Sequence, residues 1–317
     1  MKKIDIVVPC FNEEEGLQVF YDVVSGVVKE IKAYEWNFIF VDDGSKDKTP
    51  EIMRRLAETD DSVKYIIFSR NFGKEAAMFA GFEQSDGDYV VVMDSDLQDD
   101  PDMLSQMVAA MEEGYDCCAT RRMDRKGEPP VRSWFARRFY ALMNRFTEVE
   151  MMDGARDYRM MTRQMVDAIL RVSERERFSK GIFAWVGFEY KWLEYKNRER
   201  TLGTTKWSFW KLFKYAIDGI IAFSTAPLKA LMFIGGSISA GSLIFMIYKI
   251  IKTLIEGVDV PGYASLVVIM LFLGGLNLFA VGLVGLYVGN VYTEAKGRPI
   301  YVQKESNIVQ AAQTLTD

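Results

Sequence analysis

The sequence predicts an α/β domain built on a mostly parallel sheet, followed by a membrane-embedded helical part. Three observations predict it. Short β-rich apolar runs alternate with helical patterns through the first two-thirds of the chain, polar motifs stand at the ends of those runs, and two long apolar stretches crowd the last third. Strand–helix alternation covers both faces of a parallel sheet with helices. Ligands of such sheets gather at the carboxyl ends of the strands.

Residues 4–8 read as a buried strand, and residues 14–34 follow as a helix with apolar side chains near helical spacing. The apolar stretch at the N-terminus is too short for a signal peptide and meets charge at once. Residues 36–41 form a second strand that ends in Asp42-Asp43-Gly44-Ser45, where Ser45 or Asp47 is placed to cap the next helix and Asp43 to hold the turn. Residues 64–69, 89–94 and 116–120 are further strands. The polar motifs at strand ends are Asn12-Glu13, Asp42-Asp43 and Asp94-Ser95-Asp96.

At Lys206 the character changes. Trp207, Trp210, Leu212 and Phe213 lie among Lys206, Lys211 and Lys214, the pattern of a helix over 207–223 in a membrane interface. Residues 231–251 and 264–291 then read as two spans, each long enough to cross about 30 Å of hydrocarbon. Their glycines, from Gly235 to Gly289, suit close helix packing. Lysines and arginines before the first span and after the second put both termini in the cytoplasm. The predicted organisation is a cytoplasmic domain over 1–205, a juxtamembrane amphipathic region over 206–228, two transmembrane helices over 229–292 and a cytoplasmic tail over 293–317.

Composition narrows the chemistry. With 0 His in the chain, the commonest general base and transition-metal ligand are missing. Cys10, Cys117 and Cys118 lack a zinc spacing and read as reduced and structural. Any metal is therefore expected on oxygen. Neither a dinucleotide fingerprint nor a Walker lysine motif is present, and no nucleic-acid partner is expected. In VVMDSDLQDDP, Asp94 and Asp96 lie on the same side of an extended chain because side chains alternate with period two. Their repulsion asks for a cation, and oxygen ligands suit Mg²⁺ or Mn²⁺ carrying a diphosphate, with Gln98 as a further oxygen. A solvated acidic loop is the competing reading of this stretch.

VVPCFNEEEG, FVDDGSKDKT, SRNFGKEAAMFAG and VVMDSDLQDDP, in this order and spacing, resemble the family-2 glycosyltransferases of the GT-A (Rossmann-like) fold. ARDYRMMTR, ERFSKGIFAWVGF and RTLGTTKWSFWKL, followed by two spans, resemble the polyprenyl-phosphate glycosyltransferases within that family, a group containing bactoprenol glucosyltransferases and dolichyl-phosphate mannose synthases. The resemblance implies inverting transfer of a sugar, by default glucose from UDP-glucose, to a membrane polyprenyl phosphate. It implies a bacterial inner-membrane enzyme, expected as a homo-oligomer, with its catalytic domain in the cytoplasm. The runner-up is another membrane family-2 transferase such as a polysaccharide synthase, against which Ile182-Phe183-Ala184-Trp185 stands where those enzymes have Gln/Arg-x-x-Arg-Trp.

Carried onto this sequence, the resemblance places Pro9, Asn12 and Glu13 at the donor nucleotide and Asp42 at its base. Lys74 lies beside the donor, Asp94 near ribose and diphosphate, and Asp96 and Gln98, with Asp94, at the metal. Arg122 and Arg132 fall near the acceptor phosphate, and Arg200 and Lys206 belong to a basic segment that closes over the donor. Asp157 matches the family's catalytic base. A phosphate monoester has a second pKa near ~6, so much of the acceptor is already a dianionic nucleophile at neutral pH and positioning is the role expected of Asp157. Trp185 reads equally well as a core aromatic or a site residue.

Overall fold

The computed structural model describes residues 1–122, 152, 154–172, 174–175, 177–195, 224–256 and 262–308. These fall in two units, the first containing the sheet and the second the two long helices.

Strand β1 (Lys2–Cys10) is the centre of the sheet unit, and Ile4, Ile6, Val7 and Val8 are fully buried, so both of its faces are covered as a parallel strand requires. Around it stand β2 (Tyr34–Asp42), β3 (Val63–Phe68) and β4 (Tyr89–Val92). Helices α1 (Leu17–Glu30), α2 (Thr49–Thr59) and α3 (Lys74–Gln84) make the crossovers, and α4 (Met103–Glu112) leads to β5 (Cys117–Arg122). Next come β6 (Ala155–Thr162), α5 (Arg163–Arg171), α6 (Ser179–Trp185) and β7 (Tyr190–Tyr195). A last strand, β8 (Gln303–Ser306), completes the order β7-β5-β6-β4-β1-β2-β3-β8. Four pairings are parallel, while β6 runs antiparallel to β4 and β5, and β8 antiparallel to β3. The strand order reverses between β1 and β4, so the topological switch point opens beside Cys10 and Met93.

Two boundaries differ from the sequence reading. Residues 13–16 form a turn, and α1 begins at Leu17 and ends at Glu30, because Tyr34 already pairs with Lys2 in the sheet. The segment after the second long helix is no free tail: β8 is an edge strand of the same sheet. Arg54 grips Glu305 with two hydrogen bonds of 2.7 and 2.8 Å, and the Tyr301 ring stacks on Phe68 at 4.8 Å. The Arg54 guanidinium pulls the Glu305 carboxyl down to about 2.

The second unit holds α7 (Ala226–Glu256) and α8 (Tyr263–Ala295). Within them the stretches Ala226–Phe245 and Phe272–Ala295 are long and apolar enough to cross a membrane, and their large side chains face outward, with Phe233 and Leu278 each 77% exposed. Among the described residues the glycines do not serve close packing: a Cβ built at Gly235, Gly236, Gly241, Gly274, Gly275, Gly282, Gly285 or Gly289 meets nothing within 4 Å. The interfacial helix expected over 207–223 lies outside the described residues.

Candidate active site

The site is built from three loops at the carboxyl ends of β1, β2 and β4 and from the start of β6. Asn12 leaves β1 with φ 54°, a left-handed conformation that Asn tolerates better than most residues. Its N–H donates to Ser45 Oγ at 2.8 Å and its side-chain oxygen accepts from Lys46 N at 3.0 Å, which ties the first loop to the second. Glu13 N donates to Thr49 Oγ1 at 2.8 Å. Asp47, rather than Ser45, serves the start of α2, accepting from the N–H and hydroxyl of Thr49.

The second loop also fixes the third. Gly44 has φ 69°, and a Cβ there would lie 2.4 Å from the Arg70 carbonyl carbon, so only glycine lets the turn approach residues 70–71. Asp43 then accepts from Phe72 N at 2.6 Å and from Gly73 N at 2.9 Å, and burial pushes its carboxyl up to about 6 against those bonds. Asp43 is thus a structural tie between loops, and it delivers α3 with Lys74 at its first position. Asp42, expected at the nucleotide base, is fully buried with its carboxylate taken up by Ser45 N, so it shapes the turn and presents no exposed oxygen to a ligand.

Lys74 is the hub of the site. Its Nζ lies 2.6 Å from Asp94 Oδ1 and 2.6 Å from Asp157 Oδ2, joining the end of β4 to β6. Desolvation would lower the Lys74 ammonium, yet the two carboxylates raise it. Burial would raise Asp157, but Lys74 and Lys180 hold it well below the usual carboxylate range.

Period-two alternation on β6 sorts its charged residues. Asp157 and Arg159 turn to one side, where Arg159 stacks on Phe183 at 3.9 Å and donates to the backbone oxygens of Asp157 and Arg156. Arg156 and Tyr158 turn to the other. Arg156 Nη2 donates to Gln98 Oε1 at 3.1 Å and its Nε lies 3.6 Å from buried Asp99, while the Tyr158 hydroxyl donates to the Asp100 carbonyl. Burial, with Asp94 and Asp96 nearby, pushes Asp99 up to about 7 against the pull of Arg156. Leu97 between them has φ 53°, backbone strain of the kind that collects at functional loops.

Asp94, Asp96 and Gln98 share the loop that leaves β4 at the switch point, where Lys74 bridges Asp94 to Asp157 and Arg156 holds the Gln98 amide oxygen. Among the described residues no three His, Cys, Asp or Glu side chains converge as a self-sufficient metal site. Two carboxylates and an amide oxygen suit a cation that takes its other oxygens from a diphosphate. To the residues that the sequence predicts, the structure adds Arg156, Asp99 and Arg159. Arg122 closes β5 opposite Tyr195; Arg132, Arg200 and Lys206 lie outside the described residues. Trp185 is 60% exposed, so it is no core aromatic.

Residues 5–170 match the family Glycosyl transferase family 2. CsbB of Bacillus subtilis (strain 168) is 43% identical over 305 residues, covering 96% of this chain and 92% of that one. The SfII prophage-derived bactoprenol glucosyl transferase of Shigella flexneri is 40% identical over 305 residues, covering 96% and 98%. Among solved structures, glucosyl-3-phosphoglycerate synthase from Mycobacterium tuberculosis, in complex with Mn²⁺, UDP-glucose and phosphoglyceric acid, is a distant likeness with TM-score 0.46 and 20% identity over 69% of this chain and 78% of that one.

Proposed function

Because the chain belongs to glycosyl transferase family 2, we propose that it transfers a sugar, glucose from UDP-glucose, to the phosphate of a membrane polyprenol with inversion at the sugar carbon. The observation that carries this reading is the convergence at the switch point: Lys74 bridges Asp94, on the acidic donor loop, to Asp157, on the opposite strand. That places a cation between the loop suited to a diphosphate and the side from which a second anion must approach. The bactoprenol glucosyl transferase of Shigella flexneri matches the chain nearly end to end, across both apolar helices.

Asp94, Asp96 and Gln98 would hold Mg²⁺ or Mn²⁺, which neutralises the donor diphosphate when bound. Pro9, near the end of β1, and Asn12 and Glu13, on the loop that leaves it, border the nucleotide, and Asp42 holds that border from beneath. An acceptor phosphate oxygen attacks the sugar carbon as the bond to the diphosphate breaks, and the nucleoside diphosphate leaves. The acceptor's second pKa near ~6 supplies a dianion at neutral pH, so Asp157 has no proton to take. Its work is to hold Lys74 in place while two anions are set in line. By resemblance Arg122 and Arg132 meet the acceptor phosphate, and Arg200 and Lys206 close over the donor.

The membrane reading gains support from β8. The chain leaves the sheet unit, runs through two apolar helices and returns to the same sheet, which fits an even number of crossings with both flanks on one side. With lysines and arginines in those flanks supporting it, we read that side as the cytoplasm, the membrane as a bacterial inner membrane and the enzyme as a homo-oligomer.

The test is transfer itself. Membranes bearing the protein, given a panel of radiolabelled nucleotide sugars, are expected to move label from UDP-glucose into an organic extract as an acid-labile lipid. Label entering only an insoluble polymer would mark a polysaccharide synthase instead. A second result is expected on excising 226–297 and rejoining β8 through a flexible linker. Nucleotide-sugar affinity should change little, since the donor motifs lie upstream. Transfer to long polyprenyl phosphate in bilayers should fall by about 100-fold, the scale of lost positioning, and transfer to a short soluble prenyl phosphate by much less. A chain simply ended at 225 would also lose β8 and bare the edge of β3, which confounds the comparison. Equal rates on the long lipid for a folded excised form and the intact enzyme would sink the docking role of the helices.

A further inference from the structure

Behind Lys74 lies a contact that the proposed reaction does not use. Glu75, in the first turn of α3, accepts from both the N–H of Ser179, at 3.0 Å, and its hydroxyl, at the first position of α6. Ser179 is 3% exposed, so the bond is shielded. The two tied residues are the immediate chain neighbours of Lys74 and Lys180, the two lysines that act on Asp157. Beneath them Arg177 is buried, its guanidinium 4.6 Å from the Phe79 ring and its Nε without a partner among the described residues. A charge-assisted pair of bonds to one residue fixes direction as well as distance. The lysine hub is therefore held from behind by one carboxylate that joins two helices.

We propose that Glu75 is a positioning residue for sugar transfer: by fastening the start of α3 to the start of α6, it sets Lys74 against Asp157. The inference rests on the reading of the site given above. It differs from a purely stabilising role in what it predicts for Lys74. If Glu75 served only to offset the buried Arg177, its loss would lower stability and leave the lysine hub as it is. If it positions the hub, its loss frees the Lys74 ammonium while the sheet stays folded.

The experiment uses the full-length protein and four variants: Glu75→Ala, Glu75→Gln, Ser179→Ala and the Glu75→Ala/Ser179→Ala double. One readout is the rate at which an amine-acylating reagent modifies Lys74 without substrates, followed by mass spectrometry. The other is kcat and KM for the nucleotide sugar. Glu75→Ala is expected to speed Lys74 modification by about 10-fold and to lower kcat by about 30- to 100-fold with KM within about 3-fold, the pattern of lost placement. Glu75→Gln keeps an acceptor oxygen for Ser179 and should hold both quantities within about 5-fold of wild type. Ser179→Ala should move both in the same direction as Glu75→Ala, and the double variant should be no worse than Glu75→Ala, because the two residues act as one unit.

The proposal is overturned if Glu75→Ala, folded by its unfolding temperature, keeps wild-type Lys74 protection and kcat. It is equally overturned if Glu75→Gln is as impaired as Glu75→Ala, since charge and not the tie would then be at work. Should Glu75→Ala fail to fold, Glu75→Gln and Ser179→Ala decide by the same two readouts. Lys74 modification needs no turnover, so a wild-type enzyme that moves no sugar to polyprenyl phosphate would defeat the transfer reading and leave the tie to be judged on labelling alone.

Discussion

Asp96→Asn is expected to lower sugar transfer by about a thousandfold, the scale on which a lost charge-stabilising group acts, while leaving the fold of the sheet unit intact. The substitution removes one negative charge and almost no volume. Asp96 is half-buried just beyond β4, and its Oδ1 accepts from Gln98 N at 3.1 Å, a bond that the Asn oxygen also accepts. The loop should therefore keep its shape. What is lost is one of the two carboxylates proposed to hold the metal, and Lys74 already engages the other, Asp94. The remaining set of Asp94 and Gln98 then carries too little charge to hold a divalent ion against its hydration. Titration calorimetry of UDP-glucose with and without Mn²⁺ gives a second readout. In the wild type the cation should strengthen nucleotide binding, and in Asp96→Asn that gain should vanish. A variant with unchanged metal dependence and near-normal turnover would remove Asp96 from the metal set.

Legibility followed burial. Strands β1, β2 and β4 were readable because their apolar runs are buried on both faces, as at Ile6, Phe40 and Val91. Strand β6 was not, since its buried side chains include Arg159, whose charge is hidden against Phe183 and spent on backbone oxygens. Strand β8, QKES, has no apolar residue at all and is held by Arg54, Tyr65 and Asn307, contacts separated by more than 200 positions in the chain. The site shows the same division. Asp94, Asp96 and Gln98 came from local spacing, whereas the Lys74 bridge joins residues 83 positions apart and has no local signature. Arg156 carried an available signal: had ARDYRMMT been read as a strand, alternation would have placed Arg156 and Tyr158 on one face and Asp157 with Arg159 on the other. Glu75 offered none, because its partner Ser179 lies 104 residues away.

Asp157→Asn should lower kcat by about 100- to 1,000-fold, and the ratio of wild type to variant should stay flat from about pH 5 to pH 8, across the acceptor's second pKa of about 6. The sign follows from the surroundings of the carboxylate. Burial alone would raise Asp157, but Lys74 and Lys180 outweigh it and keep the group ionised wherever the enzyme is assayed. A carboxylate held so acidic is a poor proton acceptor. It is a good counter-ion, and its Oδ2 stands 2.6 Å from Lys74 Nζ. Unfolding does not blur the test either. A depressed carboxyl pKa stabilises the fold above the unfolded value of about 3.9, and that contribution is lost only as pH falls below it toward the folded value. The assay window lies above both. If Asp157 were a general base, the defect would shrink as pH rises and the acceptor reaches its dianionic form unaided. If it positions Lys74, Asn keeps the volume, loses the charge that fixes the ammonium, and no pH restores it. Measuring kcat for both enzymes across that window decides between them, and a steep recovery of the variant toward alkaline pH would defeat the positioning role.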